Sequence, residues 1–144
     1  MPDKHAVLSA SSSHRWLACP PSALLCAKVG DTTSEFAMQG TDAHSLCEHK
    51  LKKSFGQKSK DPTEDLQYFD EEMADCSDMY AQYVMEQLTA AKEKCKDPIV
   101  LIEQHLDFSK WVPQGFGTGD CVIVADETLQ VIDFKYGVGI LVDA

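Results

Sequence analysis

The sequence predicts an α+β domain, and three observations carry that expectation. Helical periodicities fill the first two thirds of the chain, and β-branched and aliphatic runs fill the last third. No segment repeats another. The 144 residues, 44% of them hydrophobic, suffice for one domain with a real core. The expected organisation is a single domain over 1–144: a helical segment at 8–30, two main helices within 34–96, and an antiparallel three-stranded meander over 98–140.

Each element follows from local chemistry. Ser9 to Ser13 offers several N-cap residues ahead of His14-Arg15-Trp16-Leu17, so a short helix starts there. Cys19-Pro20-Pro21 stops it, and Ser22 is positioned to cap a second short helix through Lys28, ended by Gly30. From Ser34 to about Phe55 the apolar residues Phe36, Met38, Ala43, Leu46, Cys47 and Leu51 recur at helical spacing, with Gly40 a weak point. Gln57 to Pro62 is a polar linker. Asp70 then caps a long helix with Glu71 and Glu72 in its first turn, where the helix dipole favours acids. Its stripe runs through Met73, Cys76, Tyr80, Tyr83/Val84, Met85, Leu88 and Ala91 before Asp97-Pro98 ends it. Ile99 to Phe108 reads as a strand, and Trp111 to Gly117 as a connection to a hairpin. The chain closes at Val142-Asp143-Ala144 without a final helix, so the sequence predicts a core lacking its last elements.

Composition narrows the function classes. No apolar run approaches a membrane span, and Met1-Pro2-Asp3-Lys4 does not open a signal sequence, which makes a cytoplasmic protein the expectation. The six cysteines include no C-x-x-C pair, so neither a zinc knuckle nor a disulfide framework is indicated. A net charge of −10 sits awkwardly with nucleic-acid binding, because phosphate contacts come from Lys and Arg. Lys50, Lys52, Lys53, Lys58 and Lys60 form one local cluster, read most simply as a solvated helix end.

The residues that carry chemistry lie on the hairpin. If Asp126-Glu127 makes the turn, Ala125 opposes Thr128, Val124 opposes Leu129, Val122 opposes Val131, and Asp120 opposes Asp133. Opposed side chains share a face at roughly 5 Å, where two carboxylates repel unless a cation lies between them. Lys135 falls on the same face, two residues past Asp133. Two carboxylates and an ammonium on one face are the parts of a metal-dependent phosphodiesterase. Asp133 and Lys135 would otherwise be an exposed edge-strand ion pair. Upstream, His44 and Glu48 stand four apart on one helix, so a neutral imidazole could serve as third ligand with Glu48 as its outer partner. Glu103, among apolar strand neighbours, is a weaker candidate for the same site, while His49 and His105 read as surface or satisfied residues.

Gly40-Thr41-x-x-His44-x-x-x-Glu48, Gly117-x-x-Asp120 and Asp133-x-Lys135 together resemble the PD-(D/E)XK nuclease superfamily, in particular its RecB-like exonuclease branch. Leu8-Ser9-Ala10-Ser11, Trp16-Leu17 and Cys19-Pro20 look like the start of that branch, and the likeness runs from Leu8 to about Gly139. The likeness extends to phage and prophage proteins with this nuclease core, often catalogued only as a domain of unknown function. The resemblance implies a restriction-endonuclease-like core binding Mg2+ or Mn2+. It makes His44, Asp120, Asp133 and the Phe134 carbonyl the metal ligands, Lys135 the catalytic lysine, and Glu48 a supporting residue. It implies DNA as the partner, with phage recombination proteins as further ones. Relatives carry a Gln and a Tyr on a helix after the lysine strand, and some hold an iron–sulfur cluster. Here only Cys19 matches a cluster ligand, so a cluster is not expected in this chain. The resulting expectation is a metal-dependent DNA nuclease, an exonuclease in phage recombination or DNA processing. The alternatives are a non-catalytic module or inactive fragment with the same fold, and an unrelated α+β protein in which a one-residue slip parts the two aspartates.

Overall fold

The computed structural model describes residues 5–30 and 33–139. Met1-Pro2-Asp3-Lys4 and Val142-Asp143-Ala144, on which the readings of a signal sequence and of missing elements rested, lie outside the described residues.

The fold is α+β. Among the described residues four α-helices, α1 (Ser13–Ala18), α2 (Pro21–Val29), α3 (Glu35–Ser54) and α4 (Glu71–Lys94), precede three strands, β1 (Ile99–Asp107), β2 (Phe116–Ala125) and β3 (Thr128–Ile132). The strands form one antiparallel sheet in the order β1-β2-β3. Both long helices begin at side-chain caps, the second at the Asp70 expected from the sequence. Ser34 accepts the Ala37 N–H at 3.2 Å, and the Asp70 carboxylate accepts the Met73 N–H at 2.7 Å. Ser22 does not cap α2, because Pro21 occupies its first turn, where a fixed φ and a missing N–H cost nothing. Helix α4 ends at Lys94, ahead of Asp97-Pro98.

The chain divides into two compact units, Met1–Thr33 with His105–Gly119, and Ser34–Gln104 with Asp120–Ala144. In the first, the Trp16 indole N–H donates to the Ser9 carbonyl at 2.9 Å, and His105 lies against the Phe116 ring at 5.5 Å.

The second unit holds the main core. Cys47 and Leu51 of α3, Tyr80, Val84 and Leu88 of α4, Cys121 and Ile123 of β2, and Ile132 of β3 form one buried cluster. A second cluster joins Ala43, Leu46 and Met73, and Phe134 packs against both. Polar ties reinforce the helix pair. Lys50 on α3 reaches Asp78 at 2.8 Å and the Ala74 carbonyl at 2.6 Å on α4, while Asp42 accepts the Tyr68 N–H at 2.8 Å.

The hairpin register is Cys121↔Ile132, Val122↔Val131, Ile123↔Gln130, Val124↔Leu129 and Ala125↔Thr128, which matches the pairing expected from the turn. Asp126 enters that turn at φ 54°, a left-handed conformation Asp tolerates better than most residues. The ladder stops one pair short of the carboxylates. Asp133-Phe134-Lys135 lies beyond β3 as irregular chain. Asp120 and Asp133 are therefore not opposed across a sheet.

Candidate metal centre

Three ligand-bearing side chains converge in the second unit. One atom each from His44, Glu103 and Asp120 lies within 4.8 Å of the other two, and all three residues are half-buried. His44 arrives from α3, Asp120 from β2 and Glu103 from β1.

Asp120 is the hinge of the arrangement. One carboxylate oxygen accepts the Phe134 N–H at 2.7 Å and meets His44 Nδ1 at 3.4 Å. Burial alone would raise this carboxyl. The hydrogen bonds from His44 and Phe134, with the charges of His44 and Lys135, outweigh it and hold the group below its ordinary value. His44 shows the mirror image: burial lowers it, yet the hydrogen bond and charge of Asp120, aided by Glu103 and Asp133, leave it above its ordinary value. The imidazole also packs edge-on to Phe134, with centroids 5.7 Å apart.

Glu103 is the group under most stress. Burial, then the charges of Asp120 and Glu48, push its carboxyl up to about 7, against a smaller pull from His44. Its backbone sits at φ 48°, left-handed within a strand. An L-residue there costs about 1–2 kcal/mol. Such a residue breaks the alternation of a strand and re-aims its side chain, as bulges do beside binding sites.

One imidazole nitrogen and two carboxylate oxygens form a donor set that suits a hard or borderline divalent cation. A cation there would offset the burial and the like-charge repulsion that together lift Glu103. Over residues 5–144 the chain matches the family described as "Protein of unknown function (DUF2800)". The chain belongs to the DUF2800 family. No solved structure matches it.

Within this DUF2800 chain, the remaining sequence-derived site residues separate. Asp133 and Lys135 are about half exposed and pair with each other. Their charges still reach His44 and Asp120 respectively. Asp133 is outside the three-residue cluster, and Glu103 stands in the place expected of it. The reason is local. With β3 ended at Ile132, the Phe134 N–H is free of the ladder and bonds to Asp120, while Asp133 finds a cation two residues along its own chain. Phe134 contributes an N–H and a ring, which stacks on Tyr136 at 6.3 Å.

Glu48 pairs with Lys52 one turn on, though its charge still reaches Glu103. His49 is buried and shares a hydrogen bond with Ser59 at 3.0 Å, a satisfied histidine as expected. Three lysines of the basic cluster, Lys50, Lys52 and Lys60, have acidic partners within the chain. Cys47 and Cys121 are buried, and desolvation pushes their thiols up to about 12 and about 11, so both are neutral packing groups. Cys19 is exposed. No helix among the described residues is long and apolar enough to cross a membrane.

Proposed function

We propose that this DUF2800 chain carries the centre of a metal-dependent DNA nuclease that hydrolyses phosphodiester bonds with Mg2+ or Mn2+. The observation that carries the reading is the convergence of His44, Glu103 and Asp120 from three elements. The resemblance of its motifs to the RecB-like exonuclease branch supplies the substrate class.

In this reading Asp120 and Glu103 contribute carboxylate oxygens and His44 a neutral imidazole nitrogen. A bound divalent cation supplies charge neutralisation at the phosphoryl oxygens and lowers the pKa of coordinated water. His44 carries a raised affinity for protons, so loading the site releases protons and strengthens as pH rises. Phe134 holds Asp120 in place through its N–H, leaving the other carboxylate oxygen for the cation. Lys135, next in sequence, is the cation available to steady charge developing on the scissile phosphate once it leaves Asp133.

The test is calorimetric titration of Mn2+ into the chain, followed by cleavage assays on linear DNA. Saturable binding lost in Asp120→Ala and Glu103→Ala, together with Mn2+-dependent cleavage, is the expected result. Absence of binding in the unsubstituted chain would end the proposal. A second reading, a non-catalytic module on the same fold, is favoured by the Lys135–Asp133 pairing and the net charge of −10. Metal binding without cleavage of any DNA form would select it.

A further inference from the structure

Tyr80 has no part in the reading above, where it is one residue of the apolar stripe of α4. Its side chain is 7% exposed, yet its hydroxyl is buried without a hydrogen-bond partner among the described residues. A buried phenol normally finds a partner, because its desolvated O–H is otherwise uncompensated.

The surroundings say where that partner belongs. The Tyr80 ring packs edge-on against Phe134 with centroids 5.3 Å apart, and Phe134 is the residue whose N–H holds Asp120. The ionisable groups near enough to bear on the hydroxyl include the neutral thiols Cys121 and Cys47 and the carboxyls Asp120 and Glu103. Two of these are ligand candidates of the triad, and both accept hydrogen bonds when ionised. Burial, reinforced by these groups, raises the phenol above its ordinary range, so it is an O–H donor at any physiological pH.

We propose that the Tyr80 hydroxyl is a positioning group of the His44–Glu103–Asp120 site, donating to a water of the hydration shell that a divalent cation brings there. The inference rests on the metal reading above. Mg2+ and Mn2+ keep several waters when few protein groups bind them, and outer hydrogen bonds orient what the ion holds. Tyr80 would then be satisfied in the loaded protein and orphaned in the empty one.

The experiment compares the unsubstituted chain with Tyr80→Phe by three measurements. In chelator, Tyr80→Phe is expected to melt at or above the unsubstituted chain, since the hydroxyl has no partner to lose. In Mn2+ titrations its affinity is expected to fall about tenfold. Mn2+ is also expected to shift the tyrosine ultraviolet absorption of the unsubstituted chain by a component missing from Tyr80→Phe, a signal that packing alone would not produce. Equal Mn2+ affinity and equal difference spectra would overturn the Tyr80 role and leave the metal site standing. No Mn2+ binding in the unsubstituted chain would remove both. Loss of the fold in Tyr80→Phe under chelator would overturn the role as well, by giving the hydroxyl a structural one.

Discussion

Replacing Glu103 by Gln should stabilise the metal-free protein at pH 8 and leave it nearly unchanged near pH 4. Folding moves this carboxyl from 4.5 to about 7. At 1.36 kcal/mol for each pKa unit, the ionised form carries about 3 kcal/mol of burial and like-charge cost at most, and about 2 kcal/mol after solvent screening of a half-buried group. Because the folded pKa is raised, the native state binds the proton more tightly than the unfolded chain. Stability therefore falls as pH climbs from about 4.5 to about 7, and stays low above that window. His44, also raised, adds stability that is present below 6.5 and lost as pH rises through its folded value. Gln keeps the size of the side chain and the left-handed backbone but cannot ionise. Thermal melts in chelator should show Glu103→Gln about 5–8 °C above the unsubstituted chain at pH 8, with little difference at pH 4. Saturating Mn2+ should reverse the order by stabilising only the chain with its carboxylate, by about 2.7 kcal/mol at a hundredfold excess over Kd. A Gln variant no more stable than the original at pH 8 in chelator would refute the argument that Glu103 is held against its charge.

Four further outcomes are expected. Glu103→Gly should be more stable than Glu103→Ala by about 1 kcal/mol in urea melts, because only glycine occupies φ 48° without penalty; equal stability would mean the left-handed backbone carries no strain. Asp133→Ala should change folding stability by no more than about 0.5 kcal/mol and weaken Mn2+ binding less than Asp120→Ala does, since its carboxylate is half exposed and engaged with Lys135; Lys135→Ala should likewise bind Mn2+ normally but fail to cleave DNA, and a cleaving variant would remove the role given to that lysine. Gly115→Ala should cost about 1–3 kcal/mol, because a Cβ there would lie 2.6 Å from the Phe108 ring and 2.8 Å from the Val112 carbonyl oxygen; unchanged denaturant midpoints would contradict that packing.

Much of this molecule was legible from short-range chemistry. Asp70 announces its helix because a side-chain oxygen three residues ahead of a free N–H is a purely local contact. The hairpin register followed from a two-residue turn and the alternation of Val122, Val124, Leu129 and Val131. His44 and Asp120 were both legible as ligand candidates, the first from its helical spacing to Glu48, the second from its place on the hairpin. Tyr80 gave no signal, since an aromatic at helical spacing reads as core whether or not its hydroxyl is satisfied.

The tertiary structure decided the rest. Whether Asp133 or Glu103 completes the cluster turns on where β3 stops and on the left-handed φ of one residue in β1. Neither event leaves a periodic trace, because each is settled by contacts distant in sequence: the Phe134 N–H reaching back to Asp120, and three acidic or basic side chains competing for one partly buried space. The sequence by itself determined the helices, the strands and the hairpin pairing, since those depend on neighbours within a few residues. Which carboxylates meet depended on packing, because charge is placed by the balance of repulsion, burial and backbone strain that only the assembled core sets.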